Sequence, residues 1–445
     1  RRGRLLQRTG PGNGEGGSDP PAGAGGRTVW RVSHFGMTVA PGRARPLRLG
    51  VAVGGFEEEG GYNRPGLPAN SWSWWEAEGR APASRGLNPS WPRWESELAA
   101  AAARGCRTAR VSVEWARCEP LDGSLDRRAF GDYCRLLESC HDHGLQPVVT
   151  LHRLAHPAWL GADFWLRPDS PERFGRWVEA AVDRFAGRTH QWVTIDRLNV
   201  TALWSYLGGH LPPGRRLDVA ATIRCLDHLL AAHVLAFEAV KERQPQAVVG
   251  FGTRVLPVYE LDRLLVDLLL GPSHGVGRHE VGAWLAERRD RFGTGDGEAR
   301  TALTWALRQW ASSAVPLEQA LARTTAAVYE SACARAVDVL HLGAEDGDLA
   351  LALPFPTPAG APDRRAGRLA RACRSMAGLG LPVAVVSDGP TDEHRLAEDV
   401  EVLEEAVAGG APVVAYYSRP AAPARSRRPG SGRMAGQRRS LSLPG

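Results

Sequence analysis

Along the middle of the chain, short apolar runs bounded by glycine, proline or polar residues alternate with longer stretches whose apolar residues fall three and four apart. That alternation predicts buried parallel strands covered by helices. The runs are Leu49–Val53, Thr108–Val113, Pro147–Leu151, Trp192–Ile195, Val248–Gly252, Val337–Leu342, Pro382–Val386 and Pro412–Tyr416. One helical stripe, Phe174, Trp177, Val178, Ala181, Val182 and Phe185, follows Ser170 as N-cap and Pro171 at the first helical position. Another, Phe130, Tyr133, Leu136, Leu137 and Cys140, is stopped by Gly144. Eight such units predict an α/β fold, a single-domain (β/α)8 TIM barrel. The excess length falls between the fifth and sixth strands, residues 253–336, as a long insertion with helical segments around Leu261–Leu270, Ala302–Trp310 and Leu317–Ala336.

The ends differ from the body. Residues 1–46 and 419–445 are rich in glycine, proline and arginine without apolar period, and are expected to be disordered basic tails flanking a barrel at 47–418. An alternative is that both are translated outside an ancestral reading frame, with Met37 as the older start.

The chain has 445 residues and a net charge of +6. Residues 1–50 carry nine arginines against Glu15 and Asp19, a balance of +7, and residues 419–445 carry seven arginines and no acid. The part between is therefore acidic by −8, which argues against a nucleic-acid groove on the folded body. There is a single lysine, Lys241. The seven cysteines are scattered without a CxxC pair, so no disulfide framework or zinc module is implied, and no cofactor. No long apolar segment suggests a membrane span or secretory signal, and the expected location is the cytoplasm.

In a (β/α)8 barrel the chemistry sits where strands end and the following loops begin. Those windows read GVAVGGFEEEGGYN (50–63), RVSVEWARCEP (110–120), VVTLHRLAHPAWL (148–160), WVTIDRLNV (192–200), LGGHLPPG (207–214), DVLHLGAED (338–346) and PVAVVSDG (382–389), followed by DEHR (392–395). Together, from about Leu49 to Tyr417, the chain resembles glycoside hydrolase family 1, the β-glucosidase-like retaining enzymes. The resemblance implies a carbohydrate substrate and two carboxyl groups roughly 5–5.5 Å apart, one attacking the anomeric carbon and the other acting as acid and base.

Neither carboxyl group is present. The family's Trp-x-Thr-x-Asn-Glu-Pro falls on Trp192, Thr194, Asp196, Arg197 and Leu198, so its acid/base position is Arg197. Its Thr-Glu-Asn-Gly falls on Val386, Ser387, Asp388 and Gly389, so its nucleophile position is Ser387, and strand alternation is expected to aim Asp388 away from the pocket. Arginine keeps its proton, and serine without an adjacent base is a poor nucleophile. The resemblance also places Glu57 at the sugar-binding glutamine, Arg153 at a histidine, Asp196 at the asparagine that holds the sugar, and Ala344 at the tyrosine supporting the nucleophile. Arg110 is retained, and the Trp-Ser-…-Glu-Trp segment after the eighth strand is absent.

Losing one essential member of such a unit costs on the order of 10⁴–10⁶ in rate. The expectation is a family member without ordinary turnover. The alternatives are an enzyme using displaced carboxylates, Asp196 with Glu57; a pseudoenzyme binding an anionic sugar or phosphate through Arg110, Arg153 and Arg197; and a decayed gene product. Trp72, Trp74 and Trp75 either stack on sugar or pack the first loop, whereas Trp115 and Trp159 belong to the scaffold. Cys140-His141-Asp142-His143 and GPSHGVGRHE (271–280) read as a solvent-facing helix end and an insertion loop rather than as metal or phosphate sites.

Overall fold

The computed structural model describes residues 47–83, 91, 94–255, 259–261, 263–292, 317–344, 369–370, 372–374, 376–391 and 393–420. Residues 1–46 and 421–445, the Ala302–Trp310 segment and the residues just after β6 lie outside this set.

Eight strands close into one parallel barrel in chain order. They are β1 Arg48–Gly54, β2 Thr108–Ser112, β3 Gln146–Thr150, β4 Gln191–Val193, β5 Val248–Thr253, β6 Val339–Ala344, β7 Val383–Thr391 and β8 Val413–Pro420. Closure comes from β1 pairing with β8, Gly50 opposite Tyr417 and Val51 opposite Ser418. All eight expected runs are strands. β8 runs two residues into the stretch expected to be tail, because Pro390 and Thr391 of β7 pair with Arg419 and Pro420.

The helical layer follows the apolar stripes. α1 (Glu95–Ala103) follows β1, α2 (Arg127–Asp142) follows β2, α3 (Ser170–Phe185) follows β3 and α4 (Val219–Arg243) follows β4. α2 starts on Asp126, whose carboxylate accepts from the amides of Arg128 and Ala129, and ends before Gly144, which takes φ 69°. Its Phe130, Tyr133, Leu136, Leu137 and Cys140 are all buried. In α3 the expected cap is displaced: Ser170 is the first helical residue, Asp169 precedes it without a side-chain cap bond, and the Ser170 hydroxyl donates instead to Arg167 O at 2.9 Å. The α3 stripe is buried in full, with Trp177 stacked on Trp115 at 5.8 Å and 9°. α4 alone among the described helices is long and apolar enough to cross a membrane, but 72% of that segment is buried. Its buried Asp227 accepts from the amides of Arg323 and Thr324 and so caps the helix Ala322–Glu330 of the insertion.

The insertion contains α5 (Arg263–Leu270), α6 (Val281–Phe292), the turn Leu317–Ala320 and α7 (Ala322–Glu330), with α8 (Glu393–Ala408) following β7. α6 lacks a sequence signature because it buries only Val281 and Leu285. The helix expected over Leu317–Ala336 breaks at Leu321 and ends at Glu330.

Candidate functional site

β2, β3 and β4 bring charged residues together at the C-terminal end of the barrel. On β2, Ala109 and Val111 join the core beneath the helices, and alternation turns Arg110 and Ser112 inward. The Arg110 guanidinium lies 2.8 Å from Asp196 Oδ1, and its Nε donates to Thr150 Oγ1 at 3.0 Å. Beyond the strand ends, Arg153 and Asp196 form an isolated parallel bridge, the Asp196 amide donating to His152 O at 2.8 Å. Arg153 Nε stands 3.8 Å from Asp196 Oδ2. Space for Asp196 comes from Gly252 on β5, where a Cβ would stand 2.3 Å from Asp196 Oδ1. Arg197 takes the left-handed conformation (φ 52°, ψ 45°) just before the turn Leu198–Ala202, which costs a non-glycine residue roughly 1–2 kcal/mol.

Asp196 is an anion held by cations. Burial alone pushes its carboxyl up, but Arg110, Arg197 and Arg153 outweigh burial and keep it well below the ordinary carboxylate range. Two buried imidazoles adjoin it. Burial lowers His152 to about 3, with His156 adding to the effect, and lowers His341 to about 3, with Arg110 adding to it. Neither ring nitrogen of His152 has a hydrogen-bond partner among the described residues; its ring meets Trp165 and Phe174 edge-on.

Among the described residues, Ala52, Arg110, Ser112, Arg153, Asp196, Val386 and Arg419 line a cavity of about 10 Å³ at the barrel mouth. That is room for about one water molecule. Arg419, expected in the tail, is instead part of the mouth: its Nη1 lies 2.7 Å from Glu58 Oε1, while Glu58 Oε2 accepts from the Gly54 amide at 2.8 Å. β8 is thereby tied to the end of β1.

Ser387 is fully buried and lies opposite Ala344 in the β6–β7 register. Val386, however, is the β7 residue lining the cavity, while Val383 and Val385 join the core under the helices. The β7–β8 register shifts between Val386 and Pro390, so Ser387 lies where the strand's alternation is interrupted. Asp388 lies in β7 and Ala344 in β6, but their side chains are outside the described set, as is that of Glu57 in the turn Phe56–Glu59. The expectation for the direction of Asp388 likewise falls outside it.

Two acids near the first loop were not singled out in the sequence. Glu59 is buried and accepts from Tyr62 OH at 2.7 Å, Tyr133 OH at 2.8 Å and Arg117 Nε at 2.9 Å. Burial still raises its carboxyl, against the pull of Arg117 and these bonds. Glu114 accepts from the Phe56 amide at 3.0 Å, and burial followed by the nearby Glu59 charge pushes it well above the usual range. Their position after β1 and β2 was the available signal. Both anchor the first loop, and neither lines the mouth cavity.

The tryptophans pack the same loop. Trp72 meets Phe56 and Trp75 at 5.5 Å, Trp74 meets Trp75 at 5.9 Å, and the Arg80 guanidinium covers Trp75 at 4.0 Å. Trp115 is buried, and Trp159 donates to Glu119 O. In the helix-end cluster Cys140 is buried and His141 bonds Arg188 O. The 271–280 loop stacks His274 on Trp284 and holds the Gly277 amide on Glu280.

Chemically, the described residues of the mouth offer fixed cations, the ion-paired carboxylates of Asp196 and Glu58, and neutral imidazoles beside Asp196. Asp196 cannot supply a proton near neutral pH, and its charge is spent on guanidinium groups rather than presented to an anomeric carbon.

Comparison with known proteins gives a consistent frame. Residues 47–268 match the model of Glycosyl hydrolase family 1. A protein named 6-phospho-beta-galactosidase 1 from Streptococcus pneumoniae is 28% identical over 230 residues, 51% of this chain and 49% of its own. Beta-glucosidase 5 from Oryza sativa is 23% identical over 241 residues, 49% of this chain and 47% of its own. The chain thus spans about half the length of these curated relatives. Among solved structures, a Thermotoga maritima β-glucosidase in complex with castanospermine superposes with a TM-score of 0.62 at 18% identity, covering 84% of this chain and 87% of that one. The fold is shared with it.

Proposed function

Because the chain belongs to glycosyl hydrolase family 1, with Arg197 and Ser387 where the family motifs carry glutamates, we propose that it is a non-hydrolysing, β-glucosidase-like member, a pseudoenzyme. The observation that carries this reading is the ion pair of Asp196 with Arg110 in a mouth of about 10 Å³. A pyranose ring does not fit in that volume, and Asp196, the carboxylate lining the cavity among the described residues, is engaged by Arg110. Of the displaced pair, Asp196 is thereby occupied, and the Glu57 side chain lies outside the described residues. Closure of the barrel at β1–β8, despite the altered segment after β8, supports a folded product over a decayed one.

The test is an assay of 4-nitrophenyl β-glucoside, β-galactoside and 6-phospho-β-galactoside at high protein concentration. Family-like turnover of 1–10³ per second, reduced by on the order of 10⁴ or more, falls below about 0.1 per second. Turnover above that value, unchanged in Arg197→Ala, refutes the reading.

A second reading is favoured by the surplus of cations. Arg110, Arg153 and Arg197 act on a single Asp196, and planar guanidinium groups suit sugar phosphates. A relative's name, 6-phospho-beta-galactosidase, points the same way. Admission of such a ligand requires Arg419 to leave Glu58. Saturating galactose 6-phosphate, at about 100 times its Kd, then stabilises the protein by about 2.7 kcal/mol, and Arg153→Gln removes the effect. A flat titration counts against this reading and leaves the first intact. We place the protein in the cytoplasm, on the support of seven free cysteines, five of them buried thiols.

A further inference from the structure

The single lysine of the chain sits at the end of the barrel opposite the mouth. Of 55 lysines and arginines, Lys241 alone carries a side-chain amine. It lies in the last turn of α4. Its Nζ is 2.7 Å from Asp338 Oδ2 and donates to Ala247 O at 2.6 Å. It also stands 5.1 Å from the centre of the Phe237 ring, one helical turn back. The side chain is one-fifth exposed.

These contacts join three elements. Ala247 immediately precedes β5 and Asp338 immediately precedes β6, so the amine ties the end of α4 to the starts of two neighbouring strands. Asp338 is fixed from other sides as well. Its Oδ2 accepts from the Val249 amide at 3.1 Å, its Oδ1 faces Arg335 Nη2 at 2.9 Å, and its own amide donates to Val249 O at 2.8 Å.

Acylation of an amine needs a deprotonated nitrogen and a path for the acyl carbon to reach it. In the closed base that nitrogen directs its N–H groups at Asp338 and Ala247, so it must leave both before it reacts. We propose that Lys241 is an acylation site for small acyl thioesters, reached only when the base of the barrel opens, and that the acyl group then hinders reclosure. In the reaction the ammonium first gives a proton to solvent. The neutral amine attacks the acyl carbon, the C–N bond forms as the C–S bond breaks, the sulfur leaves as a thiolate, and the second amine proton passes to water. The amide that results brings no charge to Asp338 and adds bulk where the side chain is mostly buried. Modification thereby records a local opening at this end of the fold.

S-phenyl thioacetate tests this on the full chain, with Nα-acetyllysine in the same solution as the freely accessible amine. The readout is the mass of the peptide holding Lys241, after hydroxylamine has cleared cysteine thioesters. In buffer Lys241 reacts at least tenfold more slowly than Nα-acetyllysine, and in unfolding guanidinium chloride that difference is lost. Asp338→Asn raises the rate in buffer at least threefold. Asp183→Asn, which removes the exposed partner of Arg243 two residues along α4, does not. Chain acetylated while unfolded and then returned to buffer has a lower guanidinium midpoint than untreated chain, a shift absent in Lys241→Arg. A difference below tenfold in wild type, a rise below threefold in Asp338→Asn, or a midpoint that acetylation leaves unmoved overturns the proposal. Should Asp338→Asn not fold, the wild-type rates and the midpoint decide it. None of these readouts involves the barrel mouth.

Discussion

The guanidinium of Arg110 on β2 and the carboxylate of Asp196 after β4 meet at 2.8 Å with both side chains less than a tenth exposed. The pair spans the barrel mouth. Removing one partner of such a buried pair costs about 3–5 kcal/mol, because the other charge is left in a poorly solvated place. Asp196→Asn leaves three guanidinium groups without their carboxylate, and is expected to lower unfolding free energy by that amount in urea titration at pH 7. The sign with pH follows from the depressed carboxyl of Asp196. Its contribution is present above the unfolded value of about 3.9 and is lost as pH falls through the folded value. The gap between wild type and variant therefore stays constant from pH 8 to 5 and narrows only below about pH 4. A gap under 1 kcal/mol at pH 7 contradicts the assignment.

Restoring the two acids suggested by the motifs does not restore hydrolysis. Arg197→Glu removes one cation from the cluster around Asp196 but leaves Arg110 and Arg153 on it, and Ser387→Glu adds an acid at a fully buried position. A cavity of about 10 Å³ also excludes the sugar ring. The double variant is expected to stay below about 0.1 per second on 4-nitrophenyl β-glucoside, the level implied by the loss of an essential catalytic unit. Measured turnover above that places Ser387 at the mouth.

The sequence made the strands legible because barrel strands are covered on both faces, so each reads as a compact apolar run. Val383, Ala384, Val385 and Val386 are all buried, and the run needs no alternation to be recognised. Arg153, Asp196 and Arg197 were legible because each follows a strand, and Arg110 because it is a charged residue inside the apolar run of β2. The closure of the mouth was not. It depends on Arg419 reaching Glu58 from a stretch whose composition resembles a tail, and on a missing side chain at Gly252. The inward or outward sense of Ser387 was equally hidden, since a one-residue change of register reverses it. α6 escaped because an arginine-rich helix with two buried residues leaves no apolar stripe.

Gly252 tests the packing of the mouth without removing a charge. A Cβ there meets Asp196 Oδ1 at 2.3 Å, the Arg197 amide nitrogen at 2.9 Å and Asp196 Cα at 3.0 Å. Two of these three atoms are backbone, so relief requires movement of the chain after β4. Overpacking of this kind costs about 1–3 kcal/mol, and Gly252→Ala is expected to reach the upper part of that range in denaturant unfolding. Asp196→Ala in the same background frees the closest contact. The double variant then loses less than the sum of the two single changes, a coupling that vanishes if the two residues are not in contact.

Four buried histidines set the acid limit of the fold. Burial lowers His152 and His341 to about 3 and His156 and His233 to about 4. His233 explains how one of them is held neutral: Nε2 donates to Ala336 O and Nδ1 accepts from Thr194 OH, both at 2.7 Å. In the unfolded chain each ring takes up its proton near pH 6.5. Stability from these groups is therefore complete above about 6.5 and falls as pH drops toward the folded values, by about 1.4 kcal/mol per pH unit for each ring. The slope of unfolding free energy between pH 6 and 5 measures the net proton count, to which these rings contribute uptake on unfolding and the raised carboxyls of Glu59 and Glu114 the opposite. His152→Phe, which fills the space between Trp165 and Phe174 with another ring, lowers that count by one and removes a buried group with no hydrogen-bond partner among the described residues. The variant is thus more stable at pH 5.5 than wild type, by more than at pH 8. Equal pH slopes for the two proteins would show that His152 already carries its proton in the folded barrel.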